Sequence, residues 1–175
     1  MQSARFSLFV GAFLAQAFSS EITSWEKYIA YPSSENAKAV QSIQYSEEID
    51  QKSLGEKISA DLQILSIQVS SGDLESFRAA LRLIKSTAPG SNLEDLMKIT
   101  GRFIRQNPKA YLEDVKIIGP FNKCPGANFL GQEFVDRDDA RTYEINARIK
   151  ALESVQAPAL MEVRNVCLSE LKNNR

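Results

Sequence analysis

Beyond its first residues the chain places apolar side chains three or four residues apart, and no convincing run alternates with a period of two. That spacing lines one face of an α-helix, whereas a half-buried strand needs every second residue. The pattern predicts an all-α fold: a compact bundle or a short array of antiparallel helical hairpins, about six to eight helices, because the connections are short. Trp25, Tyr28 and Tyr31 mark a first helix that stops at Pro32 and packs onto the core through these aromatics. Ser34 is placed as the cap of a helix reaching about Tyr45, and Leu54, Ile58, Leu62, Leu65 and Val69 form a stripe ended by Gly72. Asp73 caps the next helix, with Leu74, Phe77, Leu81 and Ile84 inward and Pro89-Gly90 as its stop. Ser91-x-x-Glu94 reads as a capping box opening a helix to about Gln106, and Pro108 starts another that closes at Gly119-Pro120. Residues 121–135 are irregular. Asp136 is placed as the cap of a helix through Ser154, with Tyr143, Ala147, Ile149 and Leu152 on or near its inner face. Pro158 opens the last helix, which carries Met161, Val163, Val166, Cys167 and Leu171.

Residues 75–85 align without gaps on residues 95–105, matching Phe77 with Met97, Leu83 with Phe103 and Ile84 with Ile104. A helix-long period is what stacked hairpins show. The chain lacks the signature residues of HEAT and TPR arrays, and no family is assigned.

Residues 1–17 have the anatomy of a secretory signal peptide: Arg5, an apolar run from Phe6, and Ala15-Gln16-Ala17 as a small-x-small cleavage site. The run is shorter than the ~20 apolar residues that cross a bilayer. The expected organisation is therefore a signal peptide at 1–17 and a single helical domain at 18–175, periplasmic or secreted, without stable membrane insertion after cleavage. The net charge is only −1, and cleavage removes one further base, so nothing suggests bulk attraction to nucleic acid.

The chain contains no histidine. Ser-His and Cys-His nucleophile pairs, histidine metal sites and the commonest general acid/base are thereby excluded. No phosphate-binding glycine loop or dinucleotide fingerprint is present, and no catalytic residue, metal or cofactor is assigned. Asp136-x-Asp138-Asp139 begins like a calcium loop, but Arg141 stands where that loop needs glycine and Ala147 where it needs glutamate. These acids read instead as the first turn of a helix, where its dipole favours negative charge.

Arg78, Arg82 and Lys85 fall at i, i+4, i+7, and Lys98, Arg102 and Arg105 repeat that spacing in the next helix. Two antiparallel helices with these stripes on one side would present a basic patch to the acidic surface of a protein partner. Gly101 interrupts that second helix and points to a close helix–helix crossing. The two cysteines, Cys124 and Cys167, are too few for a zinc site without histidine, and in an oxidising compartment they are expected to pair. Such a disulfide pins the irregular 121–135 segment to the last helix. The expected function is a non-catalytic binding protein: an inhibitor, an immunity-type protector or an assembly factor acting on a protein partner. The alternatives are a helical carrier of a small apolar ligand and a carboxylate-based hydrolase.

Overall fold

Local stop signals cut the apolar stripe into separate helices. The structure, a computed structural model, describes residues 24–42, 62–87, 89–118 and 124–173. Eight α-helices run through these residues: α1 (24–30), α2 (Ser34–Gln41), α3 (62–70), α4 (Leu74–Ser86), α5 (Ser91–Gln106), α6 (Pro108–Ile118), α7 (Asp138–Glu153) and α8 (Met161–Lys172). Short 3₁₀ turns occupy Gln132–Phe134 and Pro158–Leu160, and no strand occurs among the described residues. The segment 1–17, Leu54, Ile58, the expected helix end at Tyr45 and the Gly119-Pro120 stop lie outside the described residues.

Helices α4, α5 and α6 pack on one another at the centre, with α2 against α4 and the α7–α8 pair against α5 and α6. The centre is aromatic. The Phe77 ring stacks on Phe103 at 4.1 Å, and Tyr111 lies tilted against Phe77 at 5.7 Å. All three side chains are fully buried, so they contribute both area and ring–ring attraction. Helix α1 docks on this core through buried Trp25 and Tyr28, and the Tyr28 hydroxyl donates to Ser76 Oγ at 2.9 Å. Tyr31, expected to pack with them, is 73 % exposed. Steps of three residues drift around a helix of 3.6 residues per turn, which carries the third aromatic off the face.

Several caps differ from their expected places. Asp73 does cap α4, its Oδ1 accepting from the Ser76 N–H at 2.7 Å. Its Oδ2 accepts from the Ser34 hydroxyl at 2.6 Å, which ties the start of α2 to the start of α4. Ser33, not Ser34, caps α2. Asn107 Oδ1 accepts from the Ala110 N–H, so Pro108 takes the first helical position as expected. The capping box at Ser91 does not form: Gly90 is the N-cap, so Ser91 is already helical and one residue too deep. Arg137, not Asp136, precedes α7; Asp136 sits at φ 56°, turning the chain just before the helix.

The inner face of α7 is Glu144, Ile145, Arg148, Ile149 and Leu152, while Tyr143 is 68 % exposed. In α8 the buried set is Cys167, Leu168 and Leu171, with Met161 and Val166 turned outward. Among the described residues no helix is long and apolar enough to cross a membrane.

Partial burial raises the Asp73 carboxyl, but hydrogen bonds from Ser34 and Ser76 outweigh it and hold the group below its ordinary 3.8. A carboxylate lowered in the folded state contributes stability that is full above its unfolded pKa and lost as pH falls through the folded value. Asp73→Ala is expected to cost about 1 kcal/mol at neutral pH, as loss of an N-cap does. Urea unfolding should show its gap from wild type narrowing as pH drops below 3.8.

Candidate functional site

Loops normally lie on the surface because a buried one brings carbonyls that no ladder satisfies. Residues 124–127 are nonetheless buried, in a turn closed by Ala127 N–H to Cys124 O and Phe129 N–H to Gly126 O, each at 3.1 Å. Their partners come from four helices. From α7, Arg148 Nη1 donates to the carbonyls of Gly126, Ala127 and Phe129 at 3.0, 2.8 and 3.2 Å. From α6, the Tyr111 hydroxyl donates to Pro125 O at 2.9 Å. From α8, Glu170 Oε1 accepts from the Cys124 N–H, and Cys167 closes the disulfide with Cys124. From α5, Thr100 Oγ1 lies 3.4 Å from Pro125 O.

Arg148 is 1 % exposed, the largest fully buried side chain among the described residues. An isolated guanidinium at such depth is unfavourable by several kcal/mol. The compensation is local: Nε donates to Glu144 Oε1 at 3.0 Å, one turn back, and the three carbonyls direct their negative ends at Nη1. Glu144 Oε2 in turn accepts from Arg105 of α5 at 2.8 Å. Burial lowers the Arg148 pKa and the Glu144 carboxylate opposes that shift; arginine remains charged at any physiological pH. Burial also pushes the Tyr111 hydroxyl far up, so it stays a donor.

Gly101 is where α5 meets this turn. A Cβ there would strike Gly126 O and approach Arg148 Nη1 to 2.6 Å. The interruption thus admits a loop backbone, not the second helix that the sequence suggested. Gly126 faces it at φ +78°, and a Cβ there would collide with Met97 O. The aligned 75–85 and 95–105 segments diverge at this point: Leu81 fills the core where Gly101 leaves room.

Beyond the buried turn the chain emerges and shapes an open groove of ≈ 720 Å³. Asn128, Phe129, Leu130 and Gly131 line it on one side, Phe134, Val135 and Asp136 on another, and Asp138 and Arg141 from the first turns of α7 complete it. Phe129 is 39 % and Val135 64 % exposed, and Leu130 and Phe134 are half-buried. The outer wall is anchored too: Arg102 Nη2 pairs with Glu133 Oε1 at 3.0 Å and Nη1 donates to Ser66 of α3 at 2.7 Å.

Four of the six expected partner-binding cations make internal ion pairs. Arg78 pairs with Asp114 of α6 and with Glu75, Lys98 with Asp95, Arg102 with Glu133 and Arg105 with Glu144. The Asp114 hydrogen bond raises the Arg78 pKa further. Glu75 and Asp95 lie on the same helix as their cations, whereas Asp114, Glu133 and Glu144 come from other elements. Arg82 and Lys85 make no ion pair among the described residues, and neither Asp136 nor Asp138 makes one. Among the described residues no three metal-ligating side chains gather. A second acidic cluster in the sequence, Glu47, Glu48 and Asp50, lies outside the described residues.

Sequence reasoning missed Arg148. Its one signal was position: it follows Ile145 by three and precedes Leu152 by four, on the inner stripe. No protein-family model, no curated protein and no solved structure matches this chain.

Two substitutions test the packing of the turn. In an ordinary helix Gly101→Ala would gain about 1 kcal/mol of helix propensity; here overpacking against Gly126 should reverse the sign, a net loss of about 1–2 kcal/mol. Arg148→Met should cost about 3–5 kcal/mol by leaving Glu144 Oε1 and the turn carbonyls without their charged donor, Arg105 remaining on Glu144 Oε2. Denaturant midpoints check both, and a more stable Gly101→Ala protein would contradict the packing.

Proposed function

We propose that the chain is an exported, non-catalytic binding domain that docks a protein partner on the groove walled by residues 128–136 and the first turns of α7. The observation that carries this reading is the pairing of an exposed apolar surface with a rigid support. Phe129, Val135 and their neighbours face outward, while the turn beneath them is fixed by Arg148, Tyr111 and the disulfide. A surface held in its bound shape loses little conformational entropy on docking, which is how preorganisation raises affinity. Apolar side chains grouped on a rim of charge are common at protein contacts. Export is supported by the leader-like segment 1–17, and the disulfide is compatible with an oxidising compartment. Inhibitor, immunity-type protector and assembly factor are the roles such a domain serves. An acidic partner surface, expected from the stripes, would be met by Arg82 and Lys85, the two stripe cations without an ion pair among the described residues.

A second reading, a carboxylate-based hydrolase, draws on Asp136 and Asp138 lining the same groove. Binding is favoured because no hydrogen bond or ion pair among the described residues orients either carboxylate, whereas a general acid and base need fixed positions.

Cross-linked capture from an envelope or secreted extract tests the proposal. The unaltered chain should retain a stoichiometric partner that Phe129→Asp with Val135→Asp loses, at unchanged helical content. Weaker capture by Arg82→Glu with Lys85→Glu would add the acidic contact. Absence of any stoichiometric partner, or a partner indifferent to the Phe129 and Val135 changes, would overturn docking at the groove.

A further inference from the structure

The chemistry lining the groove narrows what fits it; the reasoning rests on the docking role proposed above. We infer that the groove takes an extended peptide segment in which an aliphatic or aromatic side chain lies beside a lysine or arginine. The apolar part follows from Phe129, Leu130, Phe134 and Val135, which offer a hydrophobic seat open on one side. The cation follows from charge. Among the described residues Asp136 and Asp138 are exposed on the rim without an ion pair, and Arg141, also without one, is the single cation lining the groove. Two carboxylates against one guanidinium leave the groove net negative, which steers a cation toward it and disfavours an anion. Main-chain recognition follows from two further features. Asn128 lines the groove and its Oδ1 is buried with no hydrogen-bond partner among the described residues, an acceptor that a turn of the side chain would present to an N–H. The Leu130 backbone, on the groove wall, makes no hydrogen bond among the described residues, so its N–H and C=O could pair with a peptide main chain.

Other occupants fit less well. An anionic membrane surface would meet the two carboxylates with like charge. A small apolar molecule would have only one side covered, whereas ligand pockets enclose most of their ligand's surface. The claim concerns the segment in the groove, whatever charge the rest of its partner carries.

Short fluorescent peptides with a central Leu, Phe or Trp, flanked by Lys/Arg, by Ser or by Asp/Glu, provide the test by anisotropy with the full chain. The basic-flanked peptides should bind most tightly, and binding should weaken as NaCl is added. Asp136→Asn with Asp138→Asn should weaken them by about three- to tenfold, the range of one or two exposed ion pairs. Asparagine tolerates the left-handed turn at position 136, so the loop keeps its shape. Phe129→Asp should abolish binding of every peptide. Equal or tighter binding of acidic-flanked peptides, indifference to the Asp136 and Asp138 changes, or no peptide binding would each overturn the inference. So would recruitment to anionic vesicles of the unaltered chain but not Phe129→Asp, or a dimer in solution that Phe129→Asp dissolves. Should the cross-linked partner be lost from the Phe129/Val135 variant while peptides show no basic preference, docking at the groove stands and this inference alone falls.

Discussion

A buried guanidinium sets the terms for half of this molecule. Arg148 reaches from α7 into the space between α5, α6 and α8 and there replaces the water that three loop carbonyls would otherwise need. Without it, the buried Ala127 carbonyl would be left without a donor among the described residues, unfavourable by about 1–3 kcal/mol, and Gly126 O would keep only the Phe129 N–H. With it, the turn becomes an inner element of the fold, as buried as the helices around it. The disulfide fixes the start of the turn to α8, and Tyr111 links it to the Phe77–Phe103 stack at the centre. Gly101 supplies the space in which backbone can lie on backbone.

Four of the six cations that look like a binding surface in the sequence pair with carboxylates of the fold. Arg105 shares Glu144 with Arg148 and so completes the buried network, while Arg102 joins α3, α5 and the Gln132–Phe134 turn. Arg78 holds α4 to α6 through buried Asp114. Three of the stripe cations, Arg78, Arg102 and Arg105, thus connect neighbouring elements. Two of the exposed apolar residues, Phe129 and Val135, ride on the segment those contacts hold in place. This division between a fixed underside and an exposed apolar rim underlies the proposed binding role.

Much of the fold was legible because its signals are local. The 3.6 spacing, the Asp73 cap, the Pro108 start and the pairing of Cys124 with Cys167 each follow from a few residues and elementary constraints. What escaped depends on tertiary contacts. Ser91 lost its cap because Gly90 took the position before it, and Tyr143 seemed an inner residue because the real inner face of α7 includes Glu144 and Arg148. A lone arginine in a polar helix reads as solvated, and only the folded turn shows three carbonyls waiting for it. Gly101 announced a close approach but not its partner. The groove was invisible in the sequence, since its lining comes from a segment with no periodicity at all.

The turn at residues 124–127 belongs to the core, held there by Arg148. Amide hydrogen exchange measured residue by residue tests it most directly, because local opening and global unfolding differ in protection. The Ala127 and Phe129 amides should exchange as slowly as those in the middle of α5, and both should lose that protection in Arg148→Met under conditions where α5 keeps its own. Exchange of these two amides at rates typical of an open surface loop in the unaltered protein would contradict the account.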